Sequence, residues 1–119
     1  MRNFRDLDVW KDSISLVKEV YLIVETLPDS EKFGLIPQIK RCSISIPSNI
    51  AEGSAKDSQK DFVRFLQISL GSAFELETQL EICHQLSFIN EKVINKLVKE
   101  IVIIQKRINA LIKYSKSQY

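Results

Sequence analysis

Over residues 62–83 the side chains Phe62, Leu66, Ser69, Ala73, Leu76, Leu80 and Cys83 recur at alternating steps of four and three. Such steps return to one side of a 3.6-residue turn, so they build a stripe along a helix and do not fit the period of two that a strand needs. The rhythm repeats in Ile94, Leu97, Ile101, Ile104, Ile108 and Leu111, and again in Trp10, Ile14, Val17, Tyr21 and Val24. Three glycines and three prolines in 119 residues leave few places for a helix to stop. The spacing predicts four helices, at approximately 6–27, 35–53, 58–86 and 90–115. Short links between long amphipathic helices favour antiparallel neighbours, so the expected fold is all-α, an antiparallel up-and-down four-helix bundle in one domain over residues 1–119. The alternative is an open helical hairpin that completes its core only by oligomerising.

The expected ends follow from capping chemistry. Asp6 is read as the cap of the first helix, which ends before Pro28. In the second, Pro37 falls in the first turn, where backbone N–H groups lack partners, and Gly53 is the natural stop. Pro47 lies in its interior, where a missing hydrogen bond predicts a kink or a loosened turn. Ser58 with Asp61 forms an approximate capping box for the third helix, and Asn90 caps the fourth. Val98, Val102, Ile103 and Ile112 widen the apolar surface of the fourth helix beyond one stripe, which predicts a subunit interface there.

A hydrophobic content of 45% supplies one shared core and would starve two. The longest apolar run, Ile101-Val102-Ile103-Ile104, falls far short of the ~20 residues that span a membrane. The N-terminus, Met-Arg-Asn-Phe-Arg-Asp, lacks the apolar segment of a secretory signal, so the expected location is the cytoplasm. There Cys42 and Cys83 are expected to be reduced thiols packed as small hydrophobes. Net charge is only +2. Its distribution is uneven: residues 90–119 carry seven Lys or Arg against two Glu, whereas residues 1–89 carry ten against thirteen Asp or Glu.

Polar residues also recur at helical steps. Gln38, Arg41, Ser45, Asn49 and Glu52 share a face of the second helix, and Ser72, Glu75 and Gln79 form a row beside the stripe of the third. Burying such groups is costly unless they meet one another, so the two rows are expected to form a hydrogen-bonded network with Arg41 and a carboxylate at its centre. An ordinary solvated face is the competing reading. Gly71 costs roughly 1 kcal/mol relative to Ala within a helix, which predicts a close approach of two helices beside it; a harmless, tolerated glycine is the competing reading.

These residues carry a resemblance. Phe4-Arg-Asp-Leu-Asp-Val-Trp10, Glu31-Lys-Phe-Gly-Leu35, Ser45-Ile-Pro-Ser-Asn49-Ile-Ala-Glu-Gly53 and Gly71-Ser72 with Glu75-Leu-Glu77 and Gln79-Leu80 resemble the bacterial 23S rRNA intervening-sequence proteins. The resemblance implies a four-helix bundle that assembles as a homopentamer, with nucleic-acid binding as the usual proposal for its role. It also implies kinship with the accessory variability proteins of diversity-generating retroelements, which form basic pentamers that bind RNA and a reverse transcriptase.

On the fourth helix Lys92, Lys99, Lys106 and Lys113 recur every seven residues, with Lys96 and Arg107 nearby. They form one positive stripe that could meet phosphates, and lysines opposite an apolar face also serve simply to keep a helix soluble. Glu81-x-x-His84 has the spacing of a di-iron bundle, but such a site needs a second copy of the motif and the chain has one histidine. Cys83 and His84 are adjacent and therefore point about 100° apart on a helix. No metal, cofactor or catalytic constellation is expected. The reading is a non-enzymatic homo-oligomer with RNA as a candidate partner; a protein-binding scaffold or accessory subunit is the alternative.

Overall fold

A computed structural model describes residues 2–119. Four α-helices, α1 Asp8–Val24, α2 Leu35–Ser54, α3 Gln59–Gln85 and α4 Glu91–Lys116, form an up-and-down bundle measuring 46 × 24 × 19 Å. Each helix packs on its neighbours in sequence, and α1 returns to α4, so the four stand at the corners of a square. Single 3-10 turns at Phe4–Asp6 and Asp29–Glu31 are the remaining elements.

The stripes of α3 and α4 face the core as expected, with Leu66, Leu76, Leu80, Ile101 and Ile108 fully buried. The face of α1 is displaced by one residue. Val9, Ser13, Leu16, Val20 and Val24 are buried there, whereas Ile14 is exposed and Trp10, Val17 and Tyr21 are half-buried. Ser13 fits on the inner face because its hydroxyl donates to the Trp10 carbonyl at 2.8 Å and so does not go unpaired there.

Helix ends differ in instructive ways. Asp6 closes the first 3-10 turn instead of capping α1, whose N-cap is Leu7 without a side-chain bond. Asn3 caps the 3-10 turn by accepting from the Arg5 N–H. Ser58 accepts from the Asp61 N–H at 3.1 Å and Asn90 from the Val93 N–H at 2.9 Å, as expected for α3 and α4. Helix α2 runs continuously through a buried Pro47. At the end of α3, Ser87 adopts φ 64°, and Phe88 N–H reaches the Cys83 carbonyl while Ser87 N–H reaches that of His84. That pair of bonds is a Schellman motif, with serine in the left-handed position that glycine usually fills.

Neither helical glycine takes its expected role. Gly53 does not stop α2, which continues to Ser54. A Cβ on Gly53 would lie 2.6 Å from Phe65 Cβ and 3.2 Å from Phe62 Cδ1, so this glycine lets α2 and α3 approach closely. Gly71 has no neighbour within 4 Å of the corresponding position and lies on the exposed side of α3. Links at residues 55–58 and 86–90 are short; the longer one, residues 25–34, is folded into the second 3-10 turn.

Candidate functional site

Three regions concentrate polar and charged side chains outside the core. The first is the α2–α3 cleft. Ser45 and Ser72 hydroxyls meet at 2.8 Å, Asn49 Nδ2 donates to Ser45 Oγ at 2.9 Å, and Cys42 Sγ donates to the Ser72 carbonyl at 3.1 Å. Ser69 Oγ extends the same seam with a 2.8 Å bond to the Ile46 carbonyl. Farther along, Gln79 Nε2 donates to Glu75 Oε1 at 3.2 Å, leaving Gln79 Oε1 buried and without a partner.

The two predicted polar rows therefore meet at Ser45, Asn49 and Ser72. Arg41 departs from its expected central place: it is exposed and forms no ion pair among the described residues, although it lines the cleft with Gln38 and Glu75. The Ser45 and Ser72 hydroxyls satisfy each other directly across the seam, so no charged partner is needed there. Gln38 and Glu52 are exposed as well.

Both cysteines are free and buried. Burial, followed by the nearby charge of Glu75, pushes the Cys42 thiol from an ordinary 9.0 up to about 12. The Cys83 thiol is pushed up by burial and then by Glu31. A thiolate nucleophile is therefore disfavoured at both positions. His84 Nδ1 lies 3.0 Å from the Ile89 carbonyl and ties down the α3–α4 turn, while Glu81 accepts from Gln85. No cluster of three or more metal-ligating side chains occurs among the described residues.

The second region is the outer ridge of α4. Lys92, Lys96, Lys99, Lys106, Arg107 and Lys113 are all exposed. Lys96 turns toward α1, 3.9 Å from Glu19, and Arg107 pairs with Asp12. Lys92, Lys99, Lys106 and Lys113 pair with no carboxylate among the described residues. Each heptad advances about 10.5 Å, so these four ammonium groups mark a ridge about 30 Å long, directly opposite the buried face. Of the residues expected to widen the apolar face of α4, Ile112 is buried in the core, Val98 packs against it, and Ile103 is exposed.

The third region was not foreseen. A groove of about 290 Å³ between α1 and α4 is lined by Asp12, Glu19, Glu100, Ile103 and Arg107. A hydrogen bond with Glu19, then burial, then the charge of Glu19 raise the Glu100 carboxyl from 4.5 to about 7, against an opposing pull from Lys96. Gln105 was missed too: it is buried and donates to Glu77 Oε1 at 2.8 Å, joining α4 to α3. Its signal was available, since Ile101, Gln105, Ile108 and Ile112 follow steps of four, three and four.

Residues 5–110 match the family described as 23S rRNA-intervening sequence protein. The chain belongs to that family. A solved family relative, a protein of unknown function from the S23 ribosomal protein family of Bacteroides thetaiotaomicron, is 26% identical. The similarity covers 88% of this chain and 98% of that one, with a TM-score of 0.79. No curated protein sequence matches the chain. The match to the 23S rRNA-intervening sequence family spans nearly the whole bundle, from the first 3-10 turn into the last turns of α4. No helix among the described residues is long and apolar enough to cross a membrane.

Proposed function

We propose that the protein is a non-enzymatic, self-associating bundle of the cytoplasm that offers the α4 ridge to the phosphate backbone of RNA. The observation that carries this reading is the ridge itself: Lys92, Lys99, Lys106 and Lys113 stand exposed, in register and without acidic partners among the described residues. Ammonium groups arranged along a line neutralise successive phosphates and release counterions, whatever the base sequence. The family resemblance supports RNA as the polyanion and a homopentamer as the assembly. Buried, protonated thiols and a histidine engaged with a backbone carbonyl supply no nucleophile or base, which supports a binding role.

Salt titration of RNA binding tests the reading. Four phosphate contacts on a single strand predict about a fifty-fold loss of affinity between 50 and 200 mM salt. Replacing Lys92, Lys99, Lys106 and Lys113 with Gln should abolish most of the binding and flatten that dependence. Equal binding by both proteins, or none by the wild type, overturns the RNA assignment. A protein-docking scaffold is the second reading, favoured by Phe74, Ile82 and Leu86, which are about half exposed on one side of the bundle.

A further inference from the structure

Helices α2 and α3 run antiparallel, so successive turns of one face successive turns of the other in reverse order. Gln38, Arg41, Cys42 and Ser45 from α2 and Ser72 and Glu75 from α3 line a cleft of about 300 Å³ between them. The walls touch at one end, where the Ser45 and Ser72 hydroxyls meet at 2.8 Å. One turn from that contact, Arg41 and Glu75 stand on opposite walls at nearly the same height. They form no ion pair with each other, and Arg41 pairs with no other carboxylate among the described residues.

Both walls are prepared for a guest. Gln79 is buried one turn beyond Glu75 and donates its Nε2 to Glu75 Oε1 at 3.2 Å, while its own Oε1 finds no partner. A buried amide thus holds an exposed carboxylate in place and takes only one of its roughly four acceptor sites, leaving others for a donor in the cleft. On the side of Arg41, Asn49 Nδ2 donates to Ser45 Oγ at 2.9 Å, and the two serine hydroxyls spend one proton on their mutual bond. The second hydroxyl proton adds a donor within one turn of the guanidinium. Burial and the charge of Glu75 push the Cys42 thiol up to about 12, so the wall between them stays uncharged.

We propose that the α2–α3 cleft binds a small zwitterion of the α-amino acid class, its carboxylate on Arg41 and the serine hydroxyl and its ammonium on Glu75. Both signs are needed. A simple anion, such as inorganic phosphate or a nucleic-acid backbone, would be repelled by Glu75, and a simple cation by Arg41. A guest carrying both charges meets each wall with charge-assisted hydrogen bonds, which are roughly twice as strong as neutral ones. Its two charges must lie close together, because walls that touch at Ser45 and Ser72 leave only a short gap one turn away. On an α-amino acid they sit on a single carbon. A cleft of about 300 Å³ is at the small end of the range for small-molecule sites, which suits a guest of this size. The cleft lies away from the α4 ridge, since α2 and α4 stand at diagonal corners of the square, so the two sites succeed or fail separately.

The test is titration of the isotope-labelled full chain with the standard free α-amino acids, followed by NMR. Saturable shifts of backbone amides in segments 38–45 and 72–79 are expected with at least one of them. The N-acetyl derivative of that amino acid lacks the ammonium, and its α-carboxamide lacks the carboxylate. Each should bind at least about ten-fold more weakly, the factor for one lost hydrogen bond to a charged group. Arg41→Gln should erase the preference over the carboxamide and keep the preference over the N-acetyl derivative, and Glu75→Gln should do the reverse. Both side chains are exposed, so circular dichroism should show the fold unchanged; should either variant unfold, the two derivatives on the wild type decide alone. No saturable shift with any amino acid overturns the site, as does equal binding when either charge is masked. Shifts confined to other parts of the bundle, or preferences that survive both substitutions, overturn its assignment to this cleft.

Discussion

Between α2 and α3 the backbones close at Gly53, and Cys42, Ser45 and Ser69 bond directly across the seam. The outer edge of the α1–α4 seam carries Arg107 with Asp12, Lys96 with Glu19, and the neighbouring carboxyls of Glu19 and Glu100. The first seam uses small side chains and neutral hydrogen bonds, so its strength comes from contact and is insensitive to pH and salt. The second uses exposed charges, which solvent weakens and protons retune. One bundle thus holds a fixed half and an adjustable half, and substitutions should separate them.

The largest effect is expected at Gly53. Gly53→Ala places a methyl group 2.6 Å from Phe65 Cβ and forces α2 away from α3. Urea denaturation should show a loss of about 2 kcal/mol, the usual range for overpacking. A neutral outcome would mean that the α2–α3 seam is as compliant as its counterpart.

A smaller effect belongs to Glu100. Its folded value of about 7 lies above the ordinary 4.5, so the folded chain holds this proton more tightly. The corresponding stability is fully present below about pH 4.5 and is lost as pH rises through about 7. Unfolding midpoints measured across that window should fall with pH in the wild type, and Glu100→Gln should remove this component of the slope. An unchanged slope in the variant would place the titration elsewhere.

The smallest effect is expected for the exposed pair across the same seam. Arg107→Ala should cost less than about 0.5 kcal/mol, and the difference should vanish in 1 M salt. A salt-resistant loss would show that the guanidinium stem packs on α1 and that the contrast between the seams is less sharp.

The legible parts of the fold were those in which one kind of side chain followed one period. In α3 and α4 the residues spaced by four and three are buried or packed on the core, so their stripes could be read directly, as could the caps at Ser58 and Asn90. In α1 the pattern breaks. Trp10, Ile14 and Tyr21 are large and apolar but lie beside the inner face, where Ser13 takes a place that hydropathy gives it no claim to. The glycines were misread for a related reason. Close approach and helix termination both select glycine, and only the position of Phe65 distinguishes them at Gly53. Pairings across the bundle, such as Glu19 with Glu100 and Gln105 with Glu77, depend on relative rotation and height of two helices, which periodicity within one helix does not encode.

The brief links at residues 55–58 and 86–90 bear on the order of events in time. Neighbouring helices find each other after closing only small loops, and chains with mostly local pairings reach their native state within microseconds to milliseconds. Meetings between separate molecules are slower and depend on concentration. Newly made copies would therefore encounter one another as finished bundles, leaving little time for half-formed chains to exchange helices.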